Sequence, residues 1–172
     1  MKTLFANAYE GLTVLVTGHT GFKGSWLATW LLELGANVVG YSLPEPPTQP
    51  SNFEVMGLNR NIIDLRGDIR DFPAVQNLFA EHKPDIIFHL AAQPIVLHSI
   101  AKPKLTIDTN AGGTVNVLEA MRKTAVGSAL VSITTDKVYE NKEWLWGYRE
   151  TDRLGGHDPY SASKGLSLIH IS

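Results

Sequence analysis

Apolar runs alternating with stretches of helical periodicity organise this chain. Leu12 to Thr17 is a near-continuous apolar run, as expected of a strand covered on both faces. Phe22, Trp26, Leu27, Trp30, Leu31 and Leu34 then recur at helical spacing, and Gly35 stands where a helix stops. Asn37-Val38-Val39-Gly40-Tyr41 reads as a second strand, completing a βαβ unit whose crossover should be right-handed. Ile62 to Leu65 reads as a third strand, Pro73 to His82 as a short helix with proline at its start, and Asp85 to Leu90 as a fourth strand running into Ala91-Ala92-Gln93. A long helical pattern covers Pro103 to Arg122 through Leu105, Val115, Leu118 and Met121, with Gly112-Gly113 expected to allow close packing within it. Ala129 to Thr134 forms a fifth strand, Asp136 to Pro159 a polar and aromatic loop, and a helix is predicted to begin near Tyr160. Such alternation predicts an α/β protein with a doubly wound parallel sheet in three layers, binding ligands at the carboxyl ends of its strands.

Two segments fall outside the alternation. Residues 1–11 read as a lead-in folded back on the sheet. Leu43 to Phe53 carries Pro44, Pro46, Pro47 and Pro50, so it is expected to be neither helix nor inner strand but a surface loop. A polyproline ligand for another protein is the alternative use of that loop. No internal repeat and no linker between two domains is visible.

The first strand ends in Thr17-Gly18-His19-Thr20-Gly21-Phe22-Lys23-Gly24, three glycines spaced three apart before a helical pattern. A strand feeding a tight turn exposes backbone N–H groups, and the next helix points its positive end at an anion. Side chains at Gly18 or Gly21 would hold a pyrophosphate away, and one at Gly24 would hinder helix–strand packing. Glycine spacing alone is weak, but this placement marks a dinucleotide site.

Composition narrows the class. Of 172 residues, 44% are hydrophobic and 19% charged, which fits a soluble globular protein. Fifteen basic against seventeen acidic residues give a net charge of −2 with no basic run, so electrostatics favour neither nucleic acid nor an anionic membrane as partner. The absence of cysteine excludes disulfides, thiolate metal sites and a cysteine nucleophile, and fits a reducing compartment. Met1-Lys2-Thr3-Leu4-Phe5 is too weakly apolar for a signal peptide, and no run is long enough to span a bilayer, so cytoplasm is the expected location. Histidines 19, 82, 89, 98, 157 and 170 show no metal-ligand spacing, and His89 reads as a core residue at a strand end.

Tyr160-Ser161-Ala162-Ser163-Lys164 places a phenol and an ammonium four residues apart, on one helix face. A phenol titrates near ~10 in water and is a poor base at neutral pH. A neighbouring ammonium favours phenolate. Alone, the pair is a chance spacing; after five strands and a glycine loop it becomes a catalytic candidate. Thr134-Thr135-Asp136-Lys137 follows the fifth strand at the ligand-binding end. There Thr135 can hydrogen-bond a substrate oxygen and Asp136 can carry a proton, although an isolated Thr-Asp is more simply a strand-end turn.

Together the glycine loop, Tyr160-x-x-x-Lys164 and Thr135 resemble the extended short-chain dehydrogenase/reductase family, of Rossmann type. Finer wording resembles its nucleotide-sugar 4,6-dehydratases: His89-Leu90-Ala91-Ala92-Gln93-Pro94, Thr134-Thr135-Asp136-Lys137-Val138-Tyr139-Glu140-Asn141 and Trp146-Gly147-Tyr148-Arg149-Glu150. The likeness runs from about Gly11 to Lys164. It implies NAD as cofactor and CDP-glucose as substrate, oxidised transiently at C4, losing water across C5–C6 and regaining hydride at C6. Tyr160 would take the 4-hydroxyl proton with Thr135 assisting, Asp136 would protonate the departing C6 hydroxyl, and Lys137 would act as C5 base if burial lowers its pKa. Lys164 would also hold the cofactor's ribose. Gly18, Thr20, Gly21, Phe22, Lys23 and Gly24 would cradle the pyrophosphate, Asp68 and Ile69 would meet adenine, and Ala91, Ala92 and Gln93 would line the cofactor's path. No carboxylate follows the second strand at Tyr41-Ser42, so the usual ribose clamp is missing.

The resemblance also implies a longer protein, homo-oligomeric when whole. Residues 1–164 would be its NAD-binding domain, with the substrate lobe absent. Gly165 to Ser172 is expected to break the last helix after one turn and leave a β-prone, atypical tail. Trp144 and Trp146 are candidates for stacking on a base, with packing of the long loop as the plainer duty. Two rival functions stand beside the dehydratase: another NAD-dependent nucleotide-sugar epimerase or dehydratase, which Asp136-Lys137 argues against, and a non-catalytic NAD-binding module.

Overall fold

A computed structural model describes residues 4–124 and 128–169; the readings made for residues 1–3, for His170 and for the end of the tail lie outside them. The chain divides into two compact units, one of Met1–Ala91 with Asn116–Ser132, the other of Ala92–Val115 with Ile133–Ser172.

The first unit is built on five parallel strands: β1 (Thr13–Thr17), β2 (Asn37–Ser42), β3 (Ile63–Arg66), β4 (Ile86–His89) and β5 (Ala129–Ser132). Their order is β3-β2-β1-β4-β5, with β1 central and in register with both β2 (Thr17↔Tyr41) and β4 (Thr17↔His89). Order reverses beside β1, the point at which a doubly wound sheet opens to ligands. Alternate residues of the inner strands serve opposite faces. Leu15, Val39 and Ile87 pack with Val75, Leu78 and Phe79 of helix α3 (Phe72–His82) and with Val117 and Ala120. Val14, Val16 and Val38 pack with Ala28 and Leu31 of helix α1 (Phe22–Glu33) and with Phe53 and Leu58. Three layers result, because near-continuous apolar strands need cover on both sides.

The proline stretch ends sooner than expected. Ser51 caps a short helix α2 (Asn52–Val55), accepting from the Glu54 N–H at 3.1 Å while Glu54 reaches back, so Asn52 and Phe53 are helical. This S-x-x-E box lay hidden behind the prolines.

In the second unit the sequence missed helix α4 (Val96–Ala101), because its large apolar residues, such as Leu97 at 79% exposure, point outward. Further, the expected continuous helix from Pro103 to Arg122 is instead α5 (Pro103–Ile107), a π turn (Asp108–Gly112) and α6 (Gly113–Thr124). The extra residue in the π turn accompanies an inward-facing Asn110. Close packing at Gly112 is not found: a Cβ there would meet nothing within 4 Å.

Helix α7 runs Pro159–Ile169, which corrects the expectation that Gly165 stops it. Tertiary hydrogen bonds outweigh glycine's helix cost of about 1 kcal/mol: two residues beyond Gly165, the Ser167 hydroxyl donates to Asn110 O at 2.8 Å.

Candidate functional site

Strand β1 and helix α1 hold the glycine loop in the first unit. Gly18 has φ +76, and a Cβ on it would stand 2.9 Å from Ala91 N. Its glycine is thus demanded by the end of β4 as well as by any ligand. A Cβ on Gly24 would stand 2.2 Å from Gly18 O, so Gly24 lets α1 pack onto the loop itself rather than onto a strand. Gly21 differs: a Cβ there would meet only Gly18 O, at 3.3 Å. Gly21 is also the N-cap of α1 and supplies no side-chain cap, leaving the first-turn amides to an anion. Phe22 and Lys23 are exposed beside them. Such a cradle, open at Gly21 and uncapped, fits a pyrophosphate.

Thr17 was not singled out in the sequence, yet it ties the two central strand ends together. Its Oγ1 lies 2.8 Å from His89 Nδ1 and accepts from Leu90 N and Ala91 N, both at 3.1 Å. His89 is buried, the core residue expected. Asp68 is gripped by Arg70, whose Nε donates at 2.9 Å; the hydrogen bond from Arg70 holds the Asp68 carboxyl below the usual range. Tyr41 donates its phenol proton to Asp68 O at 3.3 Å. The Ile69 side chain joins the apolar core and its carbonyl accepts from Asn116 at 2.9 Å.

In the second unit, Tyr160 and Lys164 both lie on α7 and both are buried. Lys164 Nζ donates to Ile133 O, just past β5, at 2.9 Å. Burial lowers its pKa to about 8. Thr135 Oγ1 donates to Asp136 Oδ1 at 3.0 Å and accepts from Lys137 N at 3.4 Å, capping a short 3₁₀ turn (Asp136–Val138). The turn predicted from isolated Thr-Asp is therefore present, and it presents Asp136 and Lys137 to solvent.

Asn110 is the residue that sequence reading missed. It is 1% exposed; its Oδ1 accepts from Gln93 N at 2.8 Å, and its Nδ2 donates to Gln93 O at 3.1 Å and to Ser163 Oγ at 2.8 Å. One amide thereby fixes Gln93 against the helix carrying Tyr160 and Lys164. Nothing local in the sequence sets it apart from Asn116 on the same stretch. Ala92 sits half-buried next to Gln93. Asp158 caps α7, accepting from Ser161 N at 2.9 Å. Of the two loop tryptophans, Trp144 packs 5.7 Å from the Tyr148 ring, which stacks on Tyr139 at 5.0 Å, while Trp146 is exposed.

Residues 15–170 match the profile of the family described as GDP-mannose 4,6 dehydratase. The chain belongs to this family. Within the GDP-mannose 4,6 dehydratase family and its surroundings, the chain is 54% identical over 166 residues to CDP-glucose 4,6-dehydratase of Salmonella typhimurium, covering 96% of this chain and 46% of that protein. It is 35% identical over 177 residues to dTDP-glucose 4,6-dehydratase 1 of Escherichia coli, covering 91% and 48% respectively. Among solved structures, the Thermus thermophilus UDP-glucose 4-epimerase complex with NAD superposes with a TM-score of 0.79 at 29% identity, covering 93% of this chain and 50% of that one. The chain thus spans about half the length of the relatives it matches. Among the described residues no helix is long and apolar enough to cross a membrane.

Proposed function

We propose that this chain is the dinucleotide-binding portion of an NAD-dependent CDP-glucose 4,6-dehydratase. The observation that carries the reading is the 54% identity to the Salmonella enzyme of that name, and it is supported by the open cradle at Gly21 and the Tyr160–Lys164 pair. Bound NAD would supply the hydride acceptor and donor. The amides after Gly21, with Gly18, Thr20, Phe22, Lys23 and Gly24, bind its pyrophosphate; Asp68, Ile69, Ala91, Ala92 and Gln93 flank the rest of it.

Lys164, buried and anchored on Ile133 O, steers the Tyr160 phenol, which takes the proton of the sugar's 4-hydroxyl. Thr135 orients that hydroxyl. Asp136 gives its proton to the departing C6 oxygen, and Lys137 removes the C5 proton, which the 4-ketone has acidified. Lys137 is exposed in this chain, so the desolvation its role requires comes with the bound sugar and the remaining part of the whole protein. The reading also takes the whole protein as homo-oligomeric and as cytoplasmic, the latter in keeping with the lack of cysteine in this chain.

Incubation of the full-length protein with CDP-glucose and NAD tests the reading, with the alkali-induced absorbance of a 4-keto-6-deoxy sugar as signal. Tyr160→Phe should lower turnover by at least ~100-fold while leaving NAD binding intact. An epimerised sugar without the ketone would reject the dehydratase in favour of an epimerase, and NAD binding with no sugar chemistry would leave only a binding module.

A further inference from the structure

His19, which follows Gly18 in the glycine loop, is fully buried, and both its ring nitrogens are engaged. Nε2 lies 2.8 Å from Asp64 Oδ1 on β3, and Nδ1 lies 2.9 Å from Ser42 Oγ at the end of β2. Ser42 Oγ in turn accepts from the Thr20 backbone N–H at 3.3 Å. The partners fix the tautomer, since a carboxylate only accepts. Nε2 must donate to Asp64, so Nδ1 accepts the Ser42 hydroxyl proton, and Ser42 oxygen is left to receive the Thr20 amide. With a neutral ring, both ring nitrogens, the Ser42 hydroxyl and the Thr20 amide all have partners. A proton added at Nδ1 would take away the acceptor of the Ser42 hydroxyl hydrogen.

The surroundings are shaped for that ring. A Cβ on Gly40 would stand 2.5 Å from His19 Cγ, which explains a glycine in the middle of β2. Phe53 meets the ring edge-on at 5.1 Å between centroids. Arg66 grips Asp64 with Nε to Oδ1 and Nη2 to Oδ2, both 2.8 Å, and lies over Phe53 at 5.0 Å. The charged groups facing the ring are thus Asp64 and Arg66, both from β3; β2 presents Gly40 and Ser42, and α2 presents Phe53. Burial pushes the His19 pKa below its usual range with the help of Arg66, against the hydrogen bond and charge of Asp64 and a weaker hydrogen bond to the Tyr41 backbone.

We propose that His19 is a positioning residue for the dinucleotide: through Ser42 it holds the Thr20 amide, and so sets the course of the loop that receives the pyrophosphate. The inference rests on the NAD reading above, because the loop must be a dinucleotide loop for the role to matter.

The test uses the full-length protein, titrating NAD by calorimetry and measuring stability separately by urea denaturation. His19→Phe keeps the ring's volume and its contact with Phe53 but breaks the relay; Ser42→Ala breaks it from the other side; Ser42→Thr retains the hydroxyl. Each of the first two should weaken NAD binding roughly tenfold or more, as expected when a buried partner is lost. The double variant should be no weaker than the worse single one, because both act through one relay, and Ser42→Thr should restore most of the affinity. Nitrogen-15 NMR of the unsubstituted protein should show a neutral ring protonated at Nε2, and this holds the proposal to account even where a variant fails to fold. Unchanged affinity in folded His19→Phe, fully additive losses, or an Nδ1–H signal would overturn it. Absence of NAD binding in the unsubstituted protein would overturn both this inference and the functional reading, whereas binding that ignores His19 overturns this inference alone.

Discussion

Gly21 and Lys164 show how single residues divide their duties between fold and chemistry. Because a Cβ on Gly21 would touch only Gly18 O at 3.3 Å, Gly21→Ala should cost the fold less than ~1 kcal/mol, yet it intrudes where a phosphate must approach. The expected result is a near-normal urea midpoint with NAD affinity reduced by tenfold or more. Lys164 carries the opposite burden. Its ordinary pKa of 10.5 falls to about 8 on burial, so between those values the unfolded chain binds more protons than the folded one. Stability therefore rises with pH through that window. Below it, the buried ammonium costs on the order of 3 kcal/mol, only partly offset by its bond to Ile133 O. Lys164→Met should be at least as stable as the unsubstituted protein at pH 7 and lose the rise in melting temperature from pH 8 toward 10, while turnover collapses. A variant clearly less stable at pH 7 would show that the lysine is a structural strut.

At the scale of elements, the π turn between α5 and α6 matters most. It turns Asn110 inward to three bonds with Gln93 and Ser163. Asn110→Ala strands those groups in a buried setting, so the urea midpoint should drop by an amount worth on the order of 3 kcal/mol, with the slope unchanged. The five strands were legible in the sequence because two-sided burial demands unbroken apolar runs. The Tyr160–Lys164 pair was legible because its spacing is local. Helix α4 was not, since Leu97 and Ile100 face outward and give no inward stripe to read. Nor were the Asn110 bridge, the Thr17 tie to β4 or the His19–Asp64 bond, whose partners lie far apart along the chain. Even the helix end at Gly165 was misjudged for that reason, because Ser163 and Ser167 find partners on the π turn that propensity cannot foresee.

For the whole molecule, a dinucleotide that binds only the folded state stabilises it by mass action. NAD at about 100 times its dissociation constant should add ~2.7 kcal/mol, seen as a rise in melting temperature that Gly21→Ala removes. A melting temperature indifferent to NAD would count against the functional reading at once. The placement of β1 carries a further consequence. Its two flanks are completed by segments of very different distance along the chain, Val14 meeting Val38 on one side and Ile86 on the other. During synthesis the first flank can close once β2 has left the ribosome, while the second stays bare until β4 has followed. Parallel pairings of such long range form slowly, so the middle strand waits with one edge unsatisfied, and the nascent polypeptide is then most open to wrong partners or to a chaperone.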